Sequence, residues 1–305
     1  MKAAAFDYVK AQSVAHGLAS ISDTDTDCKI MAGSQSLGPM LNLRLARPTE
    51  VIDVSGLPEL RQVTLEGNTI RIGAAVTHAE IEDGVFTPLA DHPWRKVAAS
   101  IAYRSVRNRG TIGGSIAHAD PAADWVLAAS AMNAVIDIES SDNTSRKISV
   151  TTSSTTSSYT SSTISRTVSM SKFMLAAYTT VLAPNEIITA IRIPVMKPNA
   201  RWGYFKFCRK VGEFAETSCA AYFDPDSRVA NIVLGALDGA PKHLPELAAR
   251  IAQDGWMGAQ DAAMQQFIQS TIAQAVPERD PIDHGMMANT VIRCLDRAFG
   301  GREAA

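Results

Sequence analysis

Apolar positions recur at helical spacing over Ala11–Ser20 and then close into a short run at Lys29–Ala32. That pattern predicts a helix followed by a buried strand. Gly33 marks a turn, PMLNLRLA (residues 39–46) returns to helical spacing, and Glu50–Val54 reads as a second buried strand. Strand, turn, helix and strand in this order predict a small βαβ unit. From Leu60 the period changes to two. RQVTLEG and TIRIGA alternate around Glu66-Gly67-Asn68, the signature of a hairpin. Pro88–Tyr103 is helical in composition, and glycines at 110, 113 and 114 break that pattern. Pro121–Met132 is expected as a helix with Asp120 as its cap, and Ala134–Ile138 as a strand.

Between Thr151 and Ser165 every residue except Tyr159 and Ile164 is Ser or Thr. The stretch from about 140 to 169 reads as a flexible hairpin loop between two strands. Threonine's preference for extended backbone leaves a β-rich extension as the alternative. Beyond it, Glu186–Pro194 and Trp202–Arg209 alternate as strands, and Cys219–Asp224 pairs with Val229–Leu237 around Pro225-Asp226-Ser227. Three helices close the chain: Pro245–Gln253, Ala259–Ala275 and Met286–Phe299. Strands giving way to helices after about residue 195 predict a second, α+β domain, with the boundary at Pro194–Pro198.

Composition narrows the function. The 305 residues carry 29 Lys and Arg against 31 Asp and Glu, a formal net charge of −2. That balance makes no electrostatic case for nucleic acid or an anionic membrane. No apolar run approaches the roughly 18–20 residues that span a bilayer, and Asp7 interrupts the N-terminal apolar run. A cytoplasmic protein without a membrane span is expected. Cys28, Cys208, Cys219 and Cys294 lie too far apart in sequence for a CxxC-type zinc or iron–sulfur site. The six histidines form no HxxxH or HExxH pattern, so no metal site is expected.

Two glycine motifs carry the candidate chemistry. The first runs from Lys29 through Ile30, Met31, Ala32, Gly33, Ser34, Gln35, Ser36 and Leu37 to Gly38. A buried strand entering a turn of small residues exposes consecutive backbone N–H groups that can bind phosphate without a charged side chain. An ordinary strand-to-helix turn, with Gly33 supplying an unusual φ, accounts for the same residues. The second motif contains Arg109, Gly110, Thr111, Ile112, Gly113, Gly114, Ser115 and, nine residues on, Asp124. Adjacent glycines allow a ligand close to the backbone, or let two sheets pack together. Neither motif matches GxGxxG or GxxxxGK[ST], which argues against a Rossmann NAD site and a P-loop.

Together the motifs resemble the FAD-binding medium subunit of the molybdenum hydroxylases, the group that includes carbon monoxide dehydrogenase and the flavin domain of xanthine dehydrogenase. The likeness extends over most of the chain, through FDY at Phe6–Tyr8, VIDVSGLPEL, IRIGAAVTHAEIE, LAPNEIITAIRIP and FKFCRKVGEFA. RNRGTIGGSIAHADPAAD looks closest to bacterial enzymes that hydroxylate N-heteroaromatic rings. The resemblance implies an α+β fold: a PCMH-type FAD-binding domain of two α/β subdomains over residues 1–195, then a smaller C-terminal domain of antiparallel sheet and helices over 196–305. It places Ile30–Leu37 around the FAD pyrophosphate and makes Thr111–Ser115 a second dinucleotide loop, with Gly113 and Gly114 against the cofactor. Ile101 and Ile188 become apolar contacts, Asp124 an acidic contact and Lys206 a lysine near the isoalloxazine. It further implies [2Fe-2S] clusters on a small partner subunit, a molybdopterin–molybdenum centre on a large one, and a dimer of heterotrimers. Many relatives carry a second glycine where this chain has Ser34; a left-handed serine costs about 1 kcal/mol. The alternatives are a free-standing FAD oxidoreductase of the same fold, for which no catalytic base stands out, and a flavin-free scaffold subunit.

Other residues divide between two readings. Lys206 is either the cofactor lysine or an outward-facing lysine on an alternating strand. His118 either contacts FAD or bonds locally in a loop. His78 reads as a helix-start residue in the core. Arg104, Arg107 and Arg109 face cofactor phosphates, a partner, or solvent. Trp94, Trp125, Trp202 and Trp256 read as core or interface anchors.

Overall fold

The computed structural model describes residues 2–22, 26–141 and 163–300. The chain opens with strand β1 (Asp7–Lys10), helix α1 (Val14–Ile21), strand β2 (Cys28–Met31), helix α2 (Leu37–Asn42) and strand β3 (Glu50–Asp53). The three strands form a parallel sheet in the order β1-β3-β2, with Asp7 and Cys28 both opposite Glu50. The expected βαβ unit is therefore present, extended by β1. Helix α1 starts at Val14 rather than Ala11, because Ser13 caps it by accepting from the His16 N–H and Ala11 N–H still bonds to Asp53 O in the sheet. Leu18, Ile52, Val54, Leu57 and Leu60 form its core.

A second sheet is antiparallel. It contains β4 (Val63–Glu66) and β5 (Thr69–Gly73), joined at Gly67-Asn68 as the hairpin signature predicts. Five short helices follow: α3 (His78–Asp83), α4 (Trp94–Ala99), α5 (Arg104–Arg107), α6 (Ile112–His118) and α7 (Asp124–Ala131). Strands β6 (Val135–Ser141) and β7 (Thr163–Ser169), helix α8 (Met170–Phe173), the β8 (Met174–Ala176) and β9 (Thr179–Thr180) hairpin, and β10 (Glu186–Pro194) complete the unit. The order is β4-β5-β10-β6-β7, so β10 is central. A register shift between Ile188 and Ala190 bends that strand. It puts Ile188 with Ile191 and Ile193 in the core of the second unit, while Ile187 packs into the first. One strand thus stitches the two units together.

Three expectations change here. Pro88–Tyr103 is not one helix: a short 3-10 turn, Pro93 at the N-cap of α4 and a positive φ at Ala102 divide it. Helix α7 begins at Asp124, not Pro121. Asp120 caps a tight turn instead, its Oδ1 accepting from the Ala122 N–H at 2.9 Å and its O from the Ala123 N–H. In the Ser/Thr-rich stretch, Ser140 and Ser141 pair with Ile164 and Thr163, so strand structure reaches further than the expected loop. Residues 142–162 lie outside the described residues.

The C-terminal sheet comprises β11 (Arg201–Phe207), β12 (Thr217–Asp224), β13 (Val229–Gly235) and β14 (Lys242–His243), antiparallel in sequence order. Helices α9 (Pro245–Asp254), α10 (Ala262–Ala275) and α11 (Pro281–Phe299) cover one face. Strand β11 alternates: Phe205 packs under these helices, whereas Trp202 and Tyr204 pack against Leu127 and Ala131 of α7. This alternation sends Lys206, two residues beyond Tyr204, toward the α7 side of the sheet. Among the described residues no helix is long and apolar enough to cross a membrane.

Trp94 and Trp125 are fully buried, with ring centroids 5.1 Å apart. His78 accepts a 2.9 Å hydrogen bond from Trp125 Nε1, and His92 meets Trp94 edge-on. Burial pushes His78 down to about 3 and His92 to about 4, from 6.5. Both imidazoles are neutral in the fold and charge on unfolding, so the unfolded chain binds more protons below about pH 6.5. Their contribution is complete above that pH and is lost as pH falls. The unfolding free energy from urea titration should therefore drop between about pH 7 and 5, by up to about 1.4 kcal/mol per pH unit for each histidine. His78→Gln should flatten that dependence; an unchanged slope would show that His78 is not the source.

Candidate functional site

The two glycine motifs meet by direct backbone contact. A Cβ on Gly33 would lie 1.9 Å from the carbonyl oxygen of Arg109, and one on Gly110 would lie 2.7 Å from His78 Nε2. The turn after β2 is thus pressed onto the segment entering α6, which leans on the His78–Trp125 pair. Between these surfaces and the C-terminal sheet runs a cleft of about 850 Å³, within the ordinary range for a ligand pocket.

The first motif lines this cleft from Ile30 through Met31, Ala32, Gly33, Ser34, Gln35 and Ser36 to Leu37. Ser34 sits at φ 61°, the left-handed position anticipated from its replacement of a glycine. Its carbonyl accepts from the Gly38 N–H, and Gln35 Nε2 donates to Gly33 O at 3.0 Å. Among the described residues, the backbone N–H groups of Ser34, Gln35, Ser36 and Leu37 have no acceptor. Four successive unpaired donors around a left-handed residue form a concavity suited to an anion.

The second motif is built differently from the expected loop. Thr111 caps α6, accepting from the Gly114 N–H at 3.1 Å, while Ile112 and Gly113 N–H donate to Val76 and Ala74 carbonyls. Ser115 N–H donates to Thr111 O, so among the described residues only the Thr111 N–H of this loop has no acceptor. A Cβ on Gly113 would fall 2.5 Å from that of Ala74, so this glycine serves chain-to-chain packing. Thr111, Gly113, Gly114 and Ser115 line the cleft, and Gly114 is exposed toward it. Ile112 does not: its side chain is fully buried in the core beside Ile116 and Trp125, because position 112 falls on the inner face of α6.

Ile101, Ile188, Asp124 and Lys206 line the same cleft. Asp124 opens α7, where the helix dipole favours a carboxylate. Its Oδ1 accepts from Lys206 Nζ at 2.9 Å and from the Tyr204 hydroxyl at 2.5 Å. Lys206 also donates to Ser100 O at 2.9 Å, and both members of the ion pair have side chains only 7% exposed. A lysine has three donors. The third N–H of Lys206 and Asp124 Oδ2 have no hydrogen-bond partner among the described residues, which leaves both to a ligand. Lys206 is therefore not the outward-facing lysine of the alternative reading.

Arg104 and Arg107 are spent elsewhere. Both pair with Glu82, and Arg104 also with Asp83, whose carboxyls they hold below their ordinary range. Arg109 supplies its carbonyl to the Gly33 contact. His118 lines the cleft and packs its ring 5.2 Å from Tyr178. Sequence reasoning overlooked Tyr204, although strand alternation puts it on the same face as Lys206, and also the cleft rim at Gly212–Phe214, joined to Ile101 by a parallel bridge. No group of His, Cys, Asp and Glu among the described residues could hold a metal ion.

A family model described as the FAD binding domain in molybdopterin dehydrogenase matches residues 4–155. The nicotine 6-hydroxylase medium subunit of Paenarthrobacter nicotinovorans is 34% identical over 251 residues, covering 81% of this chain and 80% of that one. The chain belongs to the FAD-binding medium subunits of the molybdenum hydroxylases. A second relative from that organism, the 6-hydroxypseudooxynicotine dehydrogenase complex subunit alpha, is 29% identical and covers 100% of this chain and 99% of its own length. The carbon monoxide dehydrogenase structure from Hydrogenophaga pseudoflava superposes with a TM-score of 0.81 at 27% identity, over 98% of this chain and 99% of its counterpart. The fold is thus the medium-subunit fold, and the chain is an oxidoreductase subunit with an FAD-binding domain.

Two substitutions probe the site's construction. Gly33→Ala should cost about 1–3 kcal/mol, the range for overpacking, whereas Gly239→Ala, with nothing within 4 Å of its Cβ, should stay within about 0.5 kcal/mol. Equal urea midpoints for the two variants would contradict the interlock. Lys206→Met strands a buried carboxylate and should cost about 3–5 kcal/mol. Adding Asp124→Asn should recover much of that loss in the same unfolding measurement; a strictly additive double variant would show that the pair is not coupled.

Proposed function

We propose that this chain is the flavin-bearing electron-transfer subunit of a molybdenum-containing hydroxylase. It receives electrons from [2Fe-2S] clusters on a small partner subunit and passes them to NAD+, a quinone or another acceptor. A large molybdopterin subunit carries the substrate chemistry, and the complex is a dimer of heterotrimers. Residues 1–195 hold the cofactor and 196–305 close the cleft, with the division at Pro194–Pro198. No disulfide joins the four cysteines among the described residues, in keeping with a reducing cytoplasm. The observation that carries the reading is the cleft itself, which combines four unpaired backbone donors with a buried lysine that keeps one N–H in reserve.

Bound FAD supplies the redox chemistry; the chain supplies position and field. Ser34–Leu37 would hold the pyrophosphate through backbone N–H groups. Gly114 and Ser115 would border the dinucleotide, and Asp124 Oδ2 would accept from a cofactor hydroxyl. Ile101 and Ile188 would exclude water from the ring. The Lys206 ammonium, fixed in a dry wall, would stabilise negative charge on the reduced cofactor. No acid–base pair is required for this task. The nicotine 6-hydroxylase and 6-hydroxypseudooxynicotine dehydrogenase relatives named above support an N-heteroaromatic substrate, of the purine, quinoline or nicotine type, for the whole complex.

Co-expression with its partner genes, followed by separation of the subunits, tests the assignment. Yellow flavin absorbance should follow this chain and release FAD on denaturation. A colourless chain that still co-purifies would leave only a scaffold role. Flavin in a chain that oxidises its own substrate without partners would make it a free-standing oxidoreductase.

A further inference from the structure

Tyr204 belongs to none of the sequence motifs and does not line the cleft, yet it makes the shortest hydrogen bond to the cleft's buried ion pair. Its hydroxyl donates to Asp124 Oδ1, the same oxygen that accepts from Lys206. Tyr204 stands two residues before Lys206 on β11, so both side chains leave the strand on one face. Trp202 and Tyr204 pack against α7, the helix that Asp124 opens, which holds the phenol in register with the carboxylate. Burial and the Asp124 charge push the phenol well above its ordinary range, so it remains a donor under all working conditions.

A charge-assisted hydrogen bond from a phenol spreads carboxylate charge onto the donor. With that donor in place, the Asp124 oxygen cancels less of the Lys206 ammonium's field. The ammonium is held on its other side by Ser100 O, which leaves one N–H toward the cleft.

We propose that Tyr204 is a positioning residue for electron transfer: by donating to Asp124 it leaves the positive field of Lys206 directed at the cofactor and raises the flavin's affinity for electrons. This rests on the reading of the cleft as the FAD site. Removing the phenol O–H makes the local potential more negative, so the flavin becomes harder to reduce.

The test is a potentiometric titration of the FAD-loaded complex and of its Tyr204→Phe variant. FAD content should be unchanged. The oxidised-to-reduced equilibrium should move about tenfold toward the oxidised form, about 30 mV for a two-electron couple. Full FAD content with an unmoved or raised potential overturns the proposal and leaves the cofactor assignment standing. An unaltered complex without FAD overturns the cofactor assignment itself. Should Tyr204→Phe not accumulate as folded protein, redox-difference infrared spectra of 13C-tyrosine-labelled complex answer the same question. A Tyr178→Phe background removes the other tyrosine bonded to a cleft carboxylate among the described residues. A phenol band that shifts on flavin reduction supports the proposal, and a difference spectrum without a tyrosine band overturns it.

Discussion

The seating of Gly33 on the Arg109 carbonyl is the constraint on which the site depends. At this spacing no side chain fits at position 33, and the two segments that line the cleft are held as one floor. Gly110 continues the stack onto His78, whose ring is fixed by Trp125 in the core. A loop placed this way inherits the rigidity of the second unit's interior. The left-handed turn at Ser34 then follows, because the chain must leave Gly33 sharply to begin α2 while keeping its amides toward the cleft. The strain of about 1 kcal/mol at that serine is small beside the packing that imposes it. The geometry of the cleft floor is a consequence of close chain-to-chain packing.

The second constraint is electrostatic. Burying Asp124 and Lys206 costs solvation that their mutual attraction only partly returns. A fold under selection for stability alone would fill that volume with apolar side chains. The pair is assembled from three separate places: the start of α7, the end of β11 and the backbone at Ser100. Its retention across the junction between the second unit and the C-terminal sheet makes sense as a fixed dipole in a dry wall. It also explains why the C-terminal unit is needed at all. Without β11 the cleft would keep its amide cradle and lose its only buried ammonium among the described residues.

The sequence conveyed much of this architecture because local signals and tertiary demands agree. The strand read over Glu186–Pro194 matches β10 to the residue, and its largely apolar run fits a strand whose two faces are buried by different cores. The resemblance singled out Lys206, and strand alternation decides its direction once the packing of Trp202 and Tyr204 is known. Other features lay beyond local pattern. IGGSIAH has two glycines in the first turn of α6, which propensity assigns to a loop. It is helical because Thr111 caps it and Ala74 and Val76 draw its first amides into place. Asp120 is the plausible cap in sequence, yet the turn at Asp120–Ala123 delays the helix and leaves Ala123 at its N-cap. Ile112 sits inside a motif whose neighbours line the cleft, yet helical rotation carries it to the core.

Tyr204 shows why a site read from motifs is incomplete. A motif gathers residues close in sequence, whereas the field at a cofactor is set by whatever side chains converge in space. Tyr204 and Asp124 are eighty residues apart, and only the docking of β11 on α7 brings them together. The phenol needs burial to remain a donor, burial needs the α7 contact, and that contact also places the lysine. Position and electrostatics are therefore one property of this interface: shifting β11 by one residue would turn Lys206 and Tyr204 together to the opposite face, toward the C-terminal helices.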